Sequence, residues 1–330
     1  MKVFVAGATG VLGRALVPLL VAHGHAVVGM TKSPSKKDLV LSLGARPVVA
    51  DALDPDALAH AVASAEPEVI VHELTALTGK MSLRDMRHPE RSALANMTNR
   101  LRNEATDHLL AAGRAVGARR FVAQSFVAFR WARTGGPVLT EDDPIDPDPP
   151  TVLRAPLEGI LHLEQAVVGI EWGEGLVLRY GGFYGPGTAV SRAPDAAVAM
   201  AVRRRLFPIV GGGEGVWSQV HVDDAAATTL VAVDHGQPGV YNIVDDEPAP
   251  VREWLPVLAS ALGAKPPRHV PRWLGRLVAG EAATLMMTGA RGASNAKAKR
   301  ELGWLTSRGI RSMKAWGHAW TGGFREQLNS

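Results

Sequence analysis

Three glycines near the start of the chain have the spacing of a turn that binds an anion. Gly7, Gly10 and Gly13 follow the apolar run KVFVA, and a helical pattern begins at Val11. Such a turn directs unpaired N–H groups and the positive end of the helix dipole at one point, and glycine lets a phosphate approach the backbone. The pattern predicts a site for a dinucleotide pyrophosphate, and the alternative is a purely structural turn. The residues expected in this site are Gly7, Thr9, Gly10, Val11, Leu12 and Gly13.

The end of the second predicted strand indicates which dinucleotide the site suits. An NAD site usually has Asp or Glu there, to accept from the ribose hydroxyls. This chain has Thr31, Lys32 and Ser33 instead, and a lysine with two hydroxyls suits a 2′-phosphate. We therefore predict NADP as the cofactor, with NAD as the alternative. Asp51 and Ala52 follow the third predicted strand, where the carboxylate would meet the adenine edge or cap the next helix.

The order of the elements predicts an α/β fold. Short apolar strands alternate with helices up to residue 180, and right-handed crossovers between them give a doubly wound parallel sheet of the Rossmann type. Strands are predicted at residues 2–6, 26–30, 47–50, 68–72, 120–125 and 175–180, and helices at 11–23, 54–65, 92–116 and 152–168. Glycine and proline then become frequent. We predict a dinucleotide-binding domain over residues 1–180 and about 217–245, and a smaller C-terminal substrate-binding lobe over about 181–216 and 246–330.

The composition excludes several classes of protein. The 330 residues are 46% hydrophobic and contain no cysteine, so disulfides and thiolate chemistry are excluded. A net charge of +4 is small, and its one tight basic cluster, Arg203-Arg204-Arg205, is typical of a solvated helix end rather than a nucleic-acid site. No apolar run reaches the roughly 18 to 20 residues that span a bilayer, and the N-terminus lacks the pattern of a signal peptide. We expect a cytoplasmic protein that binds neither nucleic acid nor membrane.

Several further segments, taken in order along the chain, resemble the extended short-chain dehydrogenase/reductase superfamily in its epimerase/dehydratase-like branch. They are Val69 to His72 (VIVH), Arg120 to Ser125 (RFVAQS), Leu178 to Gly187 (LRYGGFYGPG), Val220 to Asp224 (VHVDD) and Asn295 to Trp304 (NAKAKRELGW). The glycine turn and Asp51 match the same family. The resemblance implies a Rossmann domain, a cleft under a C-terminal lobe and a small-molecule substrate. It also places Leu74, just after the fourth strand, beside the cofactor.

The chain departs from this family at the residues that usually transfer a proton. The family pairs a Ser or Thr with Tyr-x-x-x-Lys, in which the lysine lowers the pKa of the tyrosine. The tyrosines here are Tyr180, Tyr184 and Tyr241, and the residues four positions later are Tyr184, Thr188 and Asp245. No Tyr-x-x-x-Lys exists in the sequence. Anchoring the family pattern on Glu164 puts Pro156 and Ile160 at the two positions and Arg102 near the position of a supporting Asn.

The remaining candidates for catalysis are Ser125, Tyr184 and His72, each with a structural alternative. Ser125 would orient a substrate oxygen or bond the backbone. Tyr184 would donate a proton or line the pocket, and His72 would act as an acid or serve as a structural group near the cofactor. The residues expected to contact the substrate are Phe126, Tyr180, Phe183, Tyr184 and Trp217. His221 and Asp223 look like a metal site or a catalytic base with its partner, but the resemblance makes them a structural link between the lobes.

The chain has the cofactor-binding motif of the family but lacks its usual proton-transfer residues. Three explanations account for this combination. The chain would use a different acid, or its substrate would need little acid catalysis, as with an iminium or a conjugated alkene, or it would bind the cofactor without turnover. The leading hypothesis is an NADP-dependent oxidoreductase acting on a small or medium carbonyl, imine or activated alkene. The alternatives are a sugar-type epimerase or dehydratase with retained cofactor and a non-catalytic NAD(P) sensor. The aliphatic helix 152–168 and the helix 92–116 also predict a homodimer.

Overall fold

The computed structural model describes residues 1–77, 92–128 and 135–304 of the chain, so the end of the predicted C-terminal lobe, residues 305–330, lies outside it. The strands are β1 (Lys2–Ala6), β2 (Ala26–Thr31), β3 (Arg46–Val49), β4 (Val69–His72), β5 (Arg120–Phe126), β6 (Val138–Leu139), β7 (Glu174–Tyr180), β8 (Gly182–Tyr184), β9 (Ile209–Val210), β10 (Val216–Trp217), β11 (Gln219–His221), β12 (Gly239–Ile243), β13 (Ala249–Pro250), β14 (His269–Val270) and β15 (Gly292–Ala293). The helices are α1 (Val11–Ala22), α2 (Lys37–Ser42), α3 (Pro55–Ala65), α4 (Ala93–Ala115), α5 (Thr151–Val168), α6 (Ala197–Arg203), α7 (Val222–Asp234), α8 (Val251–Ala261), α9 (Arg272–Ala279), α10 (Glu281–Gly289) and α11 (Ala296–Glu301).

A seven-stranded sheet forms the centre of the molecule and confirms the predicted α/β fold. Its order is β12-β7-β5-β4-β1-β2-β3, and every neighbouring pair is parallel. The strand order reverses between β1 and β4. In open parallel sheets a ligand binds outside the carboxyl ends of the strands at such a reversal. The fold therefore brings the glycine turn after β1 and the residues after β4 to one edge.

The sheet strands are apolar throughout because helices cover both of their faces. In β1, Val3 and Val5 face a cluster shared with α1 and α7, whereas Phe4 and Ala6 face one shared with α3 and α4. A short helical segment at residues 34–42, which the sequence pattern did not predict, follows β2. The segment from Val220 to Asp224 runs from the end of β11 into α7, which begins at Val222.

The chain outside this sheet forms an apolar cluster of its own, called the second cluster to distinguish it from the core on the two faces of the sheet. It joins α6, β9 and α8, with Trp254 and Leu258 among its buried members and Trp217 packed against them. The strands of this part pair only in twos, as in β10 with β13 and β14 with β9. It faces the carboxyl edge of the main sheet, so the space between the two clusters is the cleft. The residue boundaries predicted for the two lobes stay a prediction.

Two negative findings apply to the described ranges. No helix within them is long and apolar enough to cross a bilayer. The same ranges hold no group of three His, Asp or Glu side chains that could bind a metal ion.

Candidate active site

The glycine turn after β1 has the geometry of a phosphate site. The Gly10 N–H donates to the Gly7 carbonyl at 2.9 Å, and Gly10 caps α1 without a side chain, so the N–H groups of the first turn point out of the helix end. Gly7 has φ +104°, and a Cβ on it would lie 2.8 Å from the Glu73 carbonyl oxygen. A Cβ on Gly13 would lie only 2.3 Å from the Gly7 carbonyl oxygen. The turn therefore requires glycine, and the cradle it forms fits a pyrophosphate.

The adenosine end of the predicted site carries an ion pair. Lys32 Nζ lies 2.7 Å from Asp51 Oδ2, and this hydrogen bond holds the pKa of the Asp51 carboxyl below its usual value. Asp51 also accepts from the Leu53 N–H at 3.1 Å, whereas the cap of α3 is supplied by Asp54. The predicted role of Asp51 as a helix cap is therefore wrong, and its position beside the adenine stays a prediction.

The neighbours of this ion pair complete the predicted cofactor contacts at the end of β2 and after β3. Thr31 is buried, and its Oγ1 accepts from the Ser33 N–H at 3.3 Å. Ala52 is also buried, in the cluster that lies under β2 and β4. The binding of a cofactor ribose by these residues stays a prediction, with Lys32 as the exposed cation at this position.

His72, at the end of β4, is held as a neutral side chain. It is 1% exposed, its Nδ1 accepts from the Leu74 N–H at 3.2 Å, and its Nε2 donates to Thr106 Oγ1 at 3.1 Å. Burial lowers the pKa of the imidazole to about 4. An imidazole that is neutral at pH 7 and bonded through both nitrogens favours the structural alternative for His72 over a role as an acid. The bond from the Leu74 N–H fixes the backbone directly after β4, and the contact of Leu74 with the cofactor stays a prediction.

Ser125 belongs to a buried ionic network rather than to an open cleft wall. Its hydroxyl donates to Glu164 Oε1 at 2.7 Å, and Arg179 binds both oxygens of that carboxylate, each at 2.9 Å. Ser125, Glu164 and Arg179 are each 5% exposed or less. Burial lowers the pKa of nearby Arg102 to about 10, and the Glu164 charge partly opposes this effect. The network ties α5 to the ends of β5 and β7.

Tyr184 forms a second polar group at the junction of the two apolar clusters. Its hydroxyl is hydrogen-bonded to Asp245, and its ring meets the edge of His221 with the ring centres 5.1 Å apart. His221 Nδ1 accepts from the Asp223 N–H at 3.2 Å and so caps α7, which supports the predicted structural link. Burial raises the pKa of Asp245 to about 7, and nearby Asp224 adds to the shift. Tyr184 is thus paired with an acid that titrates near neutrality.

We expect replacement of Asp245 by Asn to remove a pH dependence of stability. The folded pKa of about 7 exceeds the ordinary aspartate value of 3.8, so the folded state binds more protons between these values and its stability falls as the pH rises through them. Asn mimics the neutral acid, so D245N should be more stable than the wild type at pH 8 by on the order of 3 kcal/mol and close to it at pH 4. Denaturant unfolding at several pH values measures this, with exposed Asp142→Asn as control. Parallel pH profiles of D245N and the wild type would contradict the assignment.

An apolar cavity of about 320 Å³ opens where the sheet edge faces the second cluster. Three of the predicted substrate contacts, Phe126, Phe183 and Trp217, lie in its wall. Tyr180 and Tyr184 do not; Tyr180 is buried in the sheet core with its hydroxyl 2.6 Å from Thr229 Oγ1. The remaining described residues of the wall are Val127, Ala128, Asp146, Pro150, Leu153, Gly182, Val190, Val198, Phe207, Val216, Ser218, Gln219, Trp254, Leu285, Met286, Gly289, Ala290 and Arg291. The predicted substrate role of Tyr180 therefore lacks support in the cavity.

Sequence reasoning missed several of these residues. Glu73 directly follows β4 and is 5% exposed, and burial raises the pKa of its carboxyl well above the usual value. Trp254 and Asp245 lie in segments without a recognised motif, and the role of Glu164 depends on Arg179, fifteen positions further along the chain. An acidic residue directly after an apolar strand is the one sequence signal that could have indicated Glu73.

The fold and the glycine turn define an NAD(P)-binding protein of the Rossmann class. Comparison with family models matches residues 7–142 to an NAD(P)H-binding family and residues 162–244 to the NAD dependent epimerase/dehydratase family. The chain is 45% identical over 305 residues to a 3-diazoavenalumate denitrifying reductase of a Streptomyces species, covering 92% of this chain and 95% of the relative. It is 29% identical to a 2-alkyl-3-oxoalkanoate reductase of Stenotrophomonas maltophilia, covering 80% and 76%.

A solved structure has the same fold. The UDP-glucose 4-epimerase of Thermotoga maritima aligns with a TM-score of 0.73 at 21% identity, covering 99% of this chain and all of the other. The chain belongs to the extended short-chain dehydrogenase/reductase family, in its epimerase/dehydratase-like branch, and it is an NAD(P)-dependent oxidoreductase.

Proposed function

We propose that this protein is an NADPH-dependent reductase of an aromatic diazo compound, which it reduces with loss of N2. The proposal is supported by one observation: the groups with which this family usually transfers a proton are absent from the chain or already hydrogen-bonded within it. The Tyr-x-x-x-Lys pair is absent from the sequence, the Ser125 hydroxyl donates to Glu164, and His72 is neutral and bonded on both sides. The 45% identical relative is named for a denitrifying reduction of a diazo substrate. Both facts favour hydride transfer without a proton relay.

The chemistry of this class fits that arrangement. Bound NADPH would supply a hydride. An aryl diazonium that accepts it gains a C–H bond, and the electron pair of the broken C–N bond leaves with N2, so no proton is consumed. Reduction of a ketone instead develops charge on oxygen, which an acid must neutralise. The proposal thus explains why the chain would dispense with the family's tyrosine and lysine.

The residues of the chain then have distinct roles. The first turn of α1 binds the pyrophosphate, and Lys32 binds the 2′-phosphate. Phe126, Phe183 and Trp217 pack on a flat ring and exclude water from the reacting carbon. The Ser125–Glu164–Arg179 network holds the end of β5, and with it Phe126, in position.

Ketone reduction is the second candidate, and the Tyr184–Asp245 pair favours it. A phenol hydrogen-bonded to an acid of pKa about 7 can serve as a proton source, and a relative at 29% identity is named as an oxoalkanoate reductase. A sugar-type epimerase is less well supported, because a nucleotide sugar needs many polar partners and the cavity wall is mainly aromatic and aliphatic.

Parallel assays distinguish these candidates. The full chain with NADPH would be given a hydroxyaryl diazonium acid labelled with 15N, a 3-oxoalkanoate or UDP-glucose. We expect one 15N2 released per NADPH oxidised with the first substrate, measured by mass spectrometry and absorbance, and slower turnover with the others. Because diazonium salts can oxidise NADPH unaided, the same protein with Gly13→Ala is the control. NADPH oxidation by the oxoalkanoate alone would overturn the proposal.

Lys32 should decide the preference for NADPH. The Lys32–Asp51 pair is exposed, with the lysine side chain 69% accessible, so it contributes little to stability and can exchange for a phosphate. We expect Lys32→Ala to weaken NADPH binding about tenfold, corresponding to the ~1.4 kcal/mol of one charge-assisted contact, and to leave NADH binding unchanged. Fluorescence titration measures both, with exposed Lys265→Ala as control. Equal loss for the two nucleotides would contradict a 2′-phosphate site.

The homodimer and the cytoplasmic location stay predictions. The prediction of a dimer depends on six aliphatic residues of α5, which are Val152, Leu153, Leu157, Ile160, Leu161 and Leu163. Four of the six are buried within the chain: Leu153, Leu157, Ile160 and Leu163. Only Val152 and Leu161 are half-buried. The sequence argument for an interface on α5 is therefore weaker than the pattern suggested, and sedimentation would test it.

A further inference from the structure

The side-chain amide of Gln219 lies in the wall of the apolar cavity without a hydrogen-bond partner. The residue begins β11 and is 6% exposed, and no group among the described residues bonds to its amide. A buried amide has lost its hydrogen bonds to water, and for this reason buried amides are normally paired within the protein or with a bound molecule. The amide of Gln219 is therefore available to a ligand.

Two features place this amide at the surface of the cavity. Side chains alternate along a strand, and the next residue, Val220, is buried in the core shared with α1 and α7, so Gln219 points to the other side. On that side the amide lies over Gly182, since a Cβ on Gly182 would be 2.7 Å from Gln219 Oε1. Gly182 is itself part of the cavity wall. Unlike the indole N–H of Trp254, which is enclosed on all sides, the unpaired amide keeps accessible surface.

The other accessible polar side chains of the described wall already form hydrogen bonds within the chain. They are those of Asp146, Trp217, Ser218 and Arg291. Asp146 and Arg291 bring one charge of each sign, so net charge does not select the ligand. Gln219 is thus the side chain of the described wall that has both a donor and an acceptor unused.

The chemistry of the amide and the shape of the cavity together define the ligand. The amide offers Oε1 as an acceptor beside the Nε2 amino group as a donor, and a hydroxyl is a small group that uses both, whichever way the amide is turned. A carboxylate only accepts, so it would leave Oε1 unpaired. The volume of about 320 Å³ and the aromatic wall suit one aryl ring with a short chain.

We propose that Gln219 is a specificity-determining residue whose amide pairs with a hydroxyl group on the ring of an aromatic substrate. Gly182 provides the room for the amide, because a side chain at position 182 would displace it. The pair would hold the ring on the side of the cavity that β8 and β11 form, next to Phe183. This inference rests on the proposed function for the aromatic class of the substrate, and it concerns binding alone.

A binding cycle between protein and ligand tests the contact. The ligands are cinnamate and 2-, 3- and 4-hydroxycinnamate, which differ only in the ring hydroxyl, together with the hydroxystyrene that matches the tightest isomer and lacks the carboxylate. Calorimetry measures their dissociation constants on the full chain with oxidised NADP present, so that no hydride can move. Gln219→Leu should weaken the tightest hydroxycinnamate and its hydroxystyrene about tenfold and change cinnamate by less than about twofold.

Gln237→Leu is the matched control, because Gln237 is exposed and lies outside the cavity wall. Gly182→Ala is a second variant, which keeps the amide but forces it to move, so it should reproduce the loss that depends on the hydroxyl even if Gln219→Leu does not fold.

Four results would overturn the proposal: equal loss for all ligands, loss that follows the carboxylate, no loss, or a wild-type protein that does not prefer any hydroxycinnamate to cinnamate. Since these ligands carry no diazo group and nothing is reduced, failure here is distinct from failure to release N2 in the assay of the proposed function.

Discussion

A methyl group added at Gly13 should abolish cofactor binding. A Cβ at this position would lie 2.3 Å from the Gly7 carbonyl oxygen and 2.8 Å from the Ala8 backbone, well inside contact distance. Neither neighbour is the mobile end of a side chain, so the turn or α1 must shift. The N–H groups of the first turn of α1 would then no longer converge on one point. We expect Gly13→Ala to raise the Kd of NADPH at least about 100-fold, equivalent to ~2.7 kcal/mol, in a fluorescence titration.

Gly136→Ala is the control for this prediction. A Cβ at Gly136 would have no atom within 4 Å, so the same chemical change there should leave binding intact. Circular dichroism of Gly13→Ala separates loss of the site from loss of the fold. A folded variant that binds NADPH as tightly as the wild type would show that the turn is structural only.

Replacement of Glu164 by Gln should lower the free energy of unfolding more than replacement of an exposed charged residue does. The side chains of Glu164 and Arg179 are each 6% exposed, and the pair is bidentate. Glu164→Gln leaves a buried guanidinium without its carboxylate, which costs roughly 3–5 kcal/mol. For a chain of 330 residues, whose unfolding entropy is about 0.7 kcal/mol/K, that corresponds to a fall in Tm of roughly 4–7 °C. Thermal unfolding at pH 7 measures it.

Two variants make this result specific. Glu104→Gln breaks the exposed ion pair with Arg100 and should change the free energy of unfolding by about 0.5 kcal/mol or less. Ser125→Ala removes one hydrogen bond to Glu164 and should cost about 1 kcal/mol while keeping most of the reductase activity. Loss of activity by several orders of magnitude in a folded Ser125→Ala would instead restore Ser125 as a catalytic residue.

Local pattern predicted the fold well because its signals lie within single elements. β1, the glycine turn and α1 are contiguous, and apolar strands buried on both faces give an unambiguous run of Val, Ile and Phe. The helical segment at residues 34–42 was not predicted, because a short helix after a proline has too few turns to show a helical repeat of apolar residues. The resemblance to one family matched the later segments, such as residues 178–187 and 220–224, in their order along the chain.

The candidate site was harder to predict because its groups meet only in three dimensions. Ser125 looked catalytic at a strand end, and nothing near it in sequence shows that Glu164 accepts its hydroxyl hydrogen bond. His72 could be named, but its neutral state depends on Thr106 and on burial by α4. The pairing of Tyr184 with Asp245 likewise depends on how distant segments pack, and no local pattern carries that information.

In the proposed reaction the hydride comes from the cofactor, and no proton from the protein enters the product. The most direct test uses NADPH with deuterium at C4 of the nicotinamide, one face at a time, with a hydroxyaryl diazonium acid in ordinary water. We expect one deuterium on the ring carbon that carried nitrogen, from one face only, and none at that carbon when unlabelled NADPH is used in D2O. Deuterium arriving at that carbon from D2O would contradict the account.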